Sequence, residues 1–196
     1  MLPRGDAVLV QIVNAALSDA ASRSGQWLVC RAGCTQCCHG AFAINALDAA
    51  RLQAAMAALQ LTNPEAAAAI ERRARAWIAE HAAEFPGDGE TGVIGTSEAE
   101  QAAFDEFAND EPCSALDPLS GHCGVYAGRP ITCRVFGPPV RMDDGGAMGH
   151  CELCFQGAPT ATVAECEMQV PHELEAQLVE EMADERETVV AYALVR

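Results

Sequence analysis

The sequence has few aromatic residues and no long apolar run. Aromatic residues make up 5% of its 196 residues, whereas alanine is abundant and half of the chain is hydrophobic. Because strands favour β-branched and aromatic residues, this composition favours a mostly α domain of closely packed helices over a β-sandwich. No segment is long and apolar enough to cross a bilayer, so we expect no membrane partner.

Basic residues are also scarce. Twelve Lys and Arg residues stand against 28 Asp and Glu residues, which gives a formal net charge of -16. A surface of this charge repels phosphate backbones and anionic lipids, so we expect no nucleic-acid partner. A basic or lysine-rich protein partner is compatible with the charge, although solubility alone explains it more simply.

Several familiar functional patterns are missing as well. No G-x-G-x-x-G opens a helix after a strand, and neither G-x-S-x-G nor H-E-x-x-H occurs. Gln11, Asn14 and Asp19 interrupt the apolar residues near the N-terminus, which favours an amphipathic helix over a secretory leader. We therefore expect a cytoplasmic protein with reduced thiols. Ten cysteines in that compartment indicate metal binding or redox chemistry rather than structural disulfides.

Apolar residues recur at helical spacing along most of the chain. Asn45, Asn63 and Ser97 are residues that cap helix N-termini, Pro64 suits a first helical turn, and Glu100 completes a capping box with Ser97. The predicted helices cover residues 6–22, 45–61, 64–85, a short stretch after 97 that carries Phe104 and Phe107, and 171–194.

Helical spacing also predicts which side chains face the core. On the first helix, Val8, Ile12 and Ala16 share one face. Residues 86–95 are predicted to form a flexible loop, and Asp143-Asp144-Gly145-Gly146 to close one short β-hairpin. The inward residues predicted on the last helix are Leu174, Leu178, Met182 and Val189.

Cysteines are concentrated in two irregular segments, residues 30–40 and 112–155. The first reads VCRAGCTQCCHG between residues 29 and 40, and the second is rich in proline and glycine. Thiolates are soft ligands that suit zinc and iron–sulfur clusters, and either centre needs about four of them. We predict that residues 1–196 form a single metal-binding domain whose helical scaffold and hairpin close the two segments on a metal centre. The candidate metal ligands are Cys30, Cys34, Cys37, Cys38, Cys113, Cys123, Cys133, Cys151 and Cys154.

Nine cysteines are enough for two four-thiolate sites with one thiol left over. Cys37 and Cys38 are neighbours, and adjacent side chains in extended backbone point in opposite directions. One of them is therefore expected to bind while the other packs or reacts, unless the two serve different metals. Cys166 is left out because its surroundings are apolar. His39, His122 and His150 flank cysteines but are not included as ligands.

The pattern of these cysteines, together with CGVYAGRPITCRVF at residues 123–136, resembles the YkgJ-type cysteine-cluster proteins. That family is described as carrying a zinc- or iron-chelating domain with a CxxCxxCC motif, and it includes flagellin lysine-N-methylases. The similarity spans roughly residues 28–155. The first spacing here is three residues instead of two.

The resemblance implies metal binding, with an iron–sulfur centre preferred: one 4Fe–4S cluster or two, with zinc as the alternative. It also implies that Arg129 and Arg134 lie beside the cofactor. Guanidinium groups near the sulfurs would offset the negative charge of a thiolate-bound cluster.

Three other interpretations compete with this one. A structural zinc protein would pair Cys34 and Cys37 with Cys151 and Cys154 and would act as an interaction module. A protein-lysine methylase would follow the flagellin enzymes, but no nucleotide-binding glycine loop supports it. A radical S-adenosylmethionine enzyme is rejected, because a helical pattern precedes the motif and no alternating strands and helices follow it.

Overall fold

The computed structural model describes residues 1–141 and 148–196. Within these residues the chain forms eight α-helices and two very short antiparallel hairpins, which confirms the prediction of a mostly α protein. The helices are α1 (Asp6–Ser24), α2 (Ala46–Thr62), α3 (Pro64–His81), α4 (Glu98–Asp105), α5 (Ile131–Val135), α6 (Thr160–Glu165), α7 (His172–Glu181) and α8 (Val190–Ala193). The strands are β1 (Gly87–Asp88), β2 (Val93–Ile94), β3 (Val140–Arg141) and β4 (Met148–Gly149).

Three helices begin where their capping residues predicted. The Asn45 side chain accepts a hydrogen bond from the Asp48 N–H at 2.9 Å, and Asn63 accepts one from the Ala66 N–H at 3.1 Å. Ser97 and Glu100 form the predicted reciprocal capping box of α4. These bonds satisfy N–H groups that have no partner inside the helix.

The face of α1 that carries Val8 and Ile12 is not the one that packs on the core. Val8 and Ile12 are 52% and 42% exposed, whereas Leu9 and Val13 are fully buried. The helix carries apolar residues around much of its circumference, so spacing alone permitted either face. Packing against α5 and α7 selects the Leu9 side, since Ile131 and Leu178 belong to the same buried cluster.

The predicted continuous C-terminal helix 171–194 is wrong. It is divided into α7 and α8, and Ala183 after α7 adopts a left-handed backbone with φ of 52°. Thr188 then pairs with Ile44, exchanging both backbone hydrogen bonds at 2.8 and 3.0 Å. This long-range pairing requires extended backbone and interrupts a segment that has no Gly or Pro breaker. The predicted inward residues still pack against buried clusters in the two parts.

Both hairpins are formed by two-residue strands. Pairing of β3 with β4 agrees with the predicted hairpin, while its tetrapeptide 143–146 lies outside the described residues. Residues 86–95 differ from the predicted loop, because Gly87 pairs with Ile94 and Asp88 with Val93. Gly87 has a φ of 144°, and a Cβ there would lie 2.2 Å from the Val93 carbonyl oxygen, so the close strand approach requires glycine.

Helix α2 connects the two main buried clusters. Its Leu52 packs in one cluster with Ile70 of α3 and Val190 of α8, and Cys113 and Cys123 lie against that cluster. Its Leu47 belongs to the other cluster, with α1, α5 and α7. The cysteine segments are therefore anchored on a helical scaffold. Burial of each Leu or Ile side chain in that scaffold contributes about 1.5–3 kcal/mol to the free energy of folding. No helix of the described residues has the length and apolarity needed to cross a membrane.

Candidate metal centre

The first cysteine segment is folded by tight backbone turns. The Cys34 N–H donates to the Arg31 carbonyl at 2.9 Å, and the Cys38 N–H donates to the Thr35 carbonyl at 2.8 Å. Residues Gln36–Cys38 form one turn of 3₁₀-helix instead of the extended backbone assumed from sequence. The thiols of Cys37 and Cys38 consequently lie close enough for each to shift the pKa of the other.

Backbone pairing joins this segment to the start of the second one. The Cys113 N–H donates to the Cys38 carbonyl at 2.7 Å, and the Gly40 N–H donates to the Glu111 carbonyl at 2.9 Å. Gly40 has a φ of 91°, and a Cβ there would lie 3.1 Å from the Asn109 carbonyl oxygen. Cysteines more than 70 positions apart in the chain are thus held side by side.

Cys123 and Cys133 are placed by a loop and a short helix. Cys123 pairs with Leu116 across a tight loop, which the Gly124 N–H closes by donating to the Ala115 carbonyl at 2.8 Å. Cys133 lies on α5, whose first N–H, on Ile131, donates to the buried Asp48 carboxylate at 3.0 Å. Asp48 belongs to α2. Its hydrogen bond therefore attaches the start of α5, the helix that contains Cys133, to α2.

Cys151 and Cys154 lie in a buried apolar cluster next to the first segment. The Cys154 N–H donates to the Cys151 carbonyl at 2.9 Å, and the Phe155 N–H donates to the Trp27 carbonyl at 2.8 Å. Trp27 also packs against this cluster. Cys166, which sequence reasoning excluded, is 2% exposed and belongs to the same cluster.

Seven of the nine predicted ligands line one cavity of about 650 Å³. Apolar side chains such as Leu52, Leu116, Val125 and Phe136 complete its wall. All ten cysteines are free thiols. Among the described residues, no three Cys, His, Asp or Glu side chains are gathered closely enough to hold one metal ion as they stand. The seven lining cysteines are Cys30, Cys34, Cys37, Cys38, Cys113, Cys123 and Cys133.

Burial and mutual repulsion keep most of these thiols protonated in the metal-free chain. Desolvation, followed by the charges of neighbouring cysteines, raises the pKa of Cys30 to about 11. Desolvation raises the pKa of Cys113 to about 11 as well, and it raises the pKa values of Cys133 and Cys123. Metal binding at these positions would therefore release protons.

Cys37 differs from the other thiols. The hydrogen bond from Cys38 lowers the pKa of Cys37 to about 6, and the charge of Arg129 contributes in the same direction. The same contact raises the pKa of Cys38. Cys37 is therefore the member of the pair that loses its proton first, and thiolate is the form that binds metals.

The two predicted arginines have different surroundings. Arg129 lies 3.8 Å above the centre of the Tyr126 ring and donates to the Tyr126 carbonyl at 3.0 Å. Its charge helps to lower the pKa of Cys37 and partly opposes the rise that burial causes in the pKa of Cys123. Its position is what charge compensation at a thiolate centre requires. A cofactor-binding role for it stays a prediction.

Arg134 is almost fully buried, and its guanidinium forms hydrogen bonds with backbone carbonyls. Its guanidinium donates to the carbonyl of Arg129 at 3.1 Å, to the carbonyl of Ala127, and to the Asn14 side chain at 3.0 Å. Burial and the nearby charges of Arg129 and Arg51 lower the pKa of Arg134 to about 10. Arg134 lines the cavity, but its hydrogen bonds hold the turn at residues 126–130 in place.

Sequence reasoning missed a buried charged group that supports this turn and α5. Arg51 donates to Asp6 at 2.6 Å and also to Asp48, and its side chain is 3% exposed. Burial raises the pKa of Asp48 despite the neighbouring arginine. A pattern of one acid and one base three residues apart on α2 is common on exposed helix faces, so nothing local marks it as buried.

The comparisons agree with the donor chemistry of the site. A family model named CxxCxxCC, described as a "putative zinc- or iron-chelating domain", matches residues 29–154. No curated protein and no solved structure matches the chain significantly. The match covers more than half of the chain and includes all nine predicted ligands, which confirms the resemblance. The chain therefore belongs to the CxxCxxCC family of metal-chelating domains.

Proposed function

We propose that the protein holds an iron–sulfur cluster in its cysteine-lined cavity. The observation that carries this proposal is the convergence of seven thiols on one cavity of about 650 Å³. Four thiolates around one zinc ion, at Zn–S distances of about 2.3 Å, leave almost no space between them. A cavity of this size suits a larger inorganic group, and thiolates are the usual ligands of iron–sulfur clusters.

The wall of the cavity has the properties that such a cluster needs. Apolar side chains, including Leu116 and Val125, limit the access of water, and Arg129 supplies positive charge near Cys37 and Cys123. Solvent exclusion and nearby charge are the means by which a protein sets the potential of a cluster. The cluster would supply reversible one-electron chemistry, while these residues bind and shield it.

The cluster would also order the site. Helices of the scaffold are held by buried apolar clusters, whereas the two cysteine segments are mostly turns and loops. Metal binding can provide the free energy that such segments lack. We infer that the role is structural and redox together, in a reducing compartment such as the cytoplasm, where free thiols persist.

Two features of the surface would favour binding of a partner that exchanges electrons with the cluster: exposed apolar side chains at the cavity edge and a strong negative charge. Tyr126 and Phe136 line the cavity and are 61% and 44% exposed, which brings apolar surface to its edge. The chain as a whole carries a net charge of -16 and contains no lysine. We propose a partner protein with a basic surface, because opposite charge accelerates encounter.

Anaerobic purification followed by iron, zinc and acid-labile sulfide analysis tests the proposal. We expect brown protein with iron and sulfide in similar amounts. Replacing Cys34 and Cys133 together by serine should abolish bound metal, whereas Cys166→Ser, a buried thiol outside the cavity wall, should retain it. Zinc without sulfide would identify a structural zinc protein instead, and full metal content in the double variant would refute the ligand assignment.

A further inference from the structure

We propose that the cysteines form two separate four-thiolate centres. This inference rests on the proposed function and deepens it, since it assigns the ligands of each centre. The outer set consists of Cys30, Cys34, Cys151 and Cys154. The cavity set consists of Cys37, Cys38, Cys113, Cys123 and Cys133.

Gly137 brings two members of the outer set together. A Cβ on Gly137 would lie 3.9 Å from the Cβ of Cys30, so the Cys30 side chain lies against this glycine. The carbonyl of Gly137 accepts a hydrogen bond from the Cys151 N–H at 3.3 Å. Cys30 and Cys151, from opposite ends of the family-matched region, therefore flank the same residue.

Further contacts fasten the two loops of the outer set to each other. The Phe155 N–H donates to the Trp27 carbonyl at 2.8 Å, and the Gln36 side chain donates to Glu152 at 2.5 Å. Each loop also makes a tight turn just before its second cysteine, at Cys34 and at Cys154. Two short turns that each present a pair of cysteines are the usual way to build a four-thiolate site.

The cavity set has its own connections. Cys113 is bonded through its backbone to Cys38, and Cys123 lies on the tight loop that follows Cys113. All five members line the cavity, as do Cys30 and Cys34 of the outer set, whereas Cys151 and Cys154 do not. Those two lie in the apolar cluster with Phe155, against which Trp27 also packs.

The numbers of thiols fit two centres. The outer set supplies the four thiolates that a zinc ion or a cluster needs, and the cavity set supplies four with one to spare. The spare thiol is one of the chain neighbours Cys37 and Cys38, which share one turn of 3₁₀-helix. Zinc and a second cluster share tetrathiolate chemistry in the outer set, and iron, zinc and sulfide analysis of the protein distinguishes them.

Single substitutions separate the two centres. Cys30 is exposed, so Cys30→Ser removes an outer ligand without emptying the core, and Cys123→Ser is the matched change in the cavity set. We expect Cys30→Ser to lose the metal of one centre and to leave the electron paramagnetic resonance signal of the reduced cavity cluster unchanged. Cys123→Ser should lose that signal and retain the outer metal, and the double variant should lose both.

Two outcomes overturn the division. Either each single variant loses all metal together, or both lose the same spectral signal, as one shared centre would require. A Cd²⁺ titration of metal-free wild-type protein, followed by thiolate-to-metal absorbance, guards against misfolded variants: two centres give two saturation steps and one centre gives one. Wild-type protein without any bound metal would instead count against the proposed function itself.

Discussion

At the scale of single residues, Arg51 lies between two carboxylates that are shielded from water. Its contacts with Asp6 and Asp48 leave the three side chains 3%, 10% and 3% exposed, respectively. Removing one partner of a buried charge group leaves the others uncompensated, which costs about 3–5 kcal/mol. We therefore predict that Arg51→Met lowers the free energy of unfolding in urea by about that amount.

The matched control for Arg51 is Arg75, which forms a pair with Glu71 on the exposed face of α3. Its side chain is 63% exposed, and exposed pairs four residues apart contribute about 0.3–0.5 kcal/mol. Arg75→Met should therefore change the free energy of unfolding by no more than that. Equal losses in the two variants would show that Arg51 does not act through burial.

At the scale of elements, the turn at residues 126–128 is pressed against α2. A Cβ on Gly128 would lie 2.4 Å from the Cβ of Ala55 and 2.8 Å from the Arg51 carbonyl oxygen. Backbone cannot move aside cheaply, so Gly128→Ala should displace the turn that carries Arg129. We predict a loss of about 1–3 kcal/mol in unfolding free energy, together with lower metal content after anaerobic purification.

Gly124, in the same loop, provides the control. A Cβ there would meet the tip of the Ile70 side chain at 2.7 Å, which can rotate away. Gly124→Ala should therefore keep its metal content and most of its stability. If Gly128→Ala retains metal as well as Gly124→Ala does, the close approach to α2 does not position the site.

The same scale shows what local sequence can predict. Asn45, Asn63 and Ser97 fixed helix starts correctly, because capping involves residues only three positions apart. The break before α8 was not predictable, since it depends on pairing between Thr188 and Ile44. Spacing identified the candidate ligands, but the proposed division into two sets depends on contacts such as that between Cys30 and Gly137.

At the scale of the whole molecule, charge opposes the compact state. The 28 acidic residues exceed the twelve arginines, and no lysine adds to the positive charge. Exposed pairs such as Arg75–Glu71 and Arg186–Asp184 favour folding slightly, and salt weakens them. The unpaired acidic excess is larger, so its mutual repulsion decides the sign of the salt effect.

Screening should therefore stabilise the protein. We predict that raising sodium chloride from 10 to 200 mM increases the thermal midpoint by roughly 2–4 °C, equivalent to about 1 kcal/mol for a chain of this size. Most of the rise should occur below about 150 mM, where the Debye length has already shortened to about 8 Å. A rise that continues linearly into molar salt would indicate surface exclusion of the salt instead. A fall would mean that the ion pairs outweigh the repulsion, and the acidic surface would then offer less attraction to a basic partner than proposed.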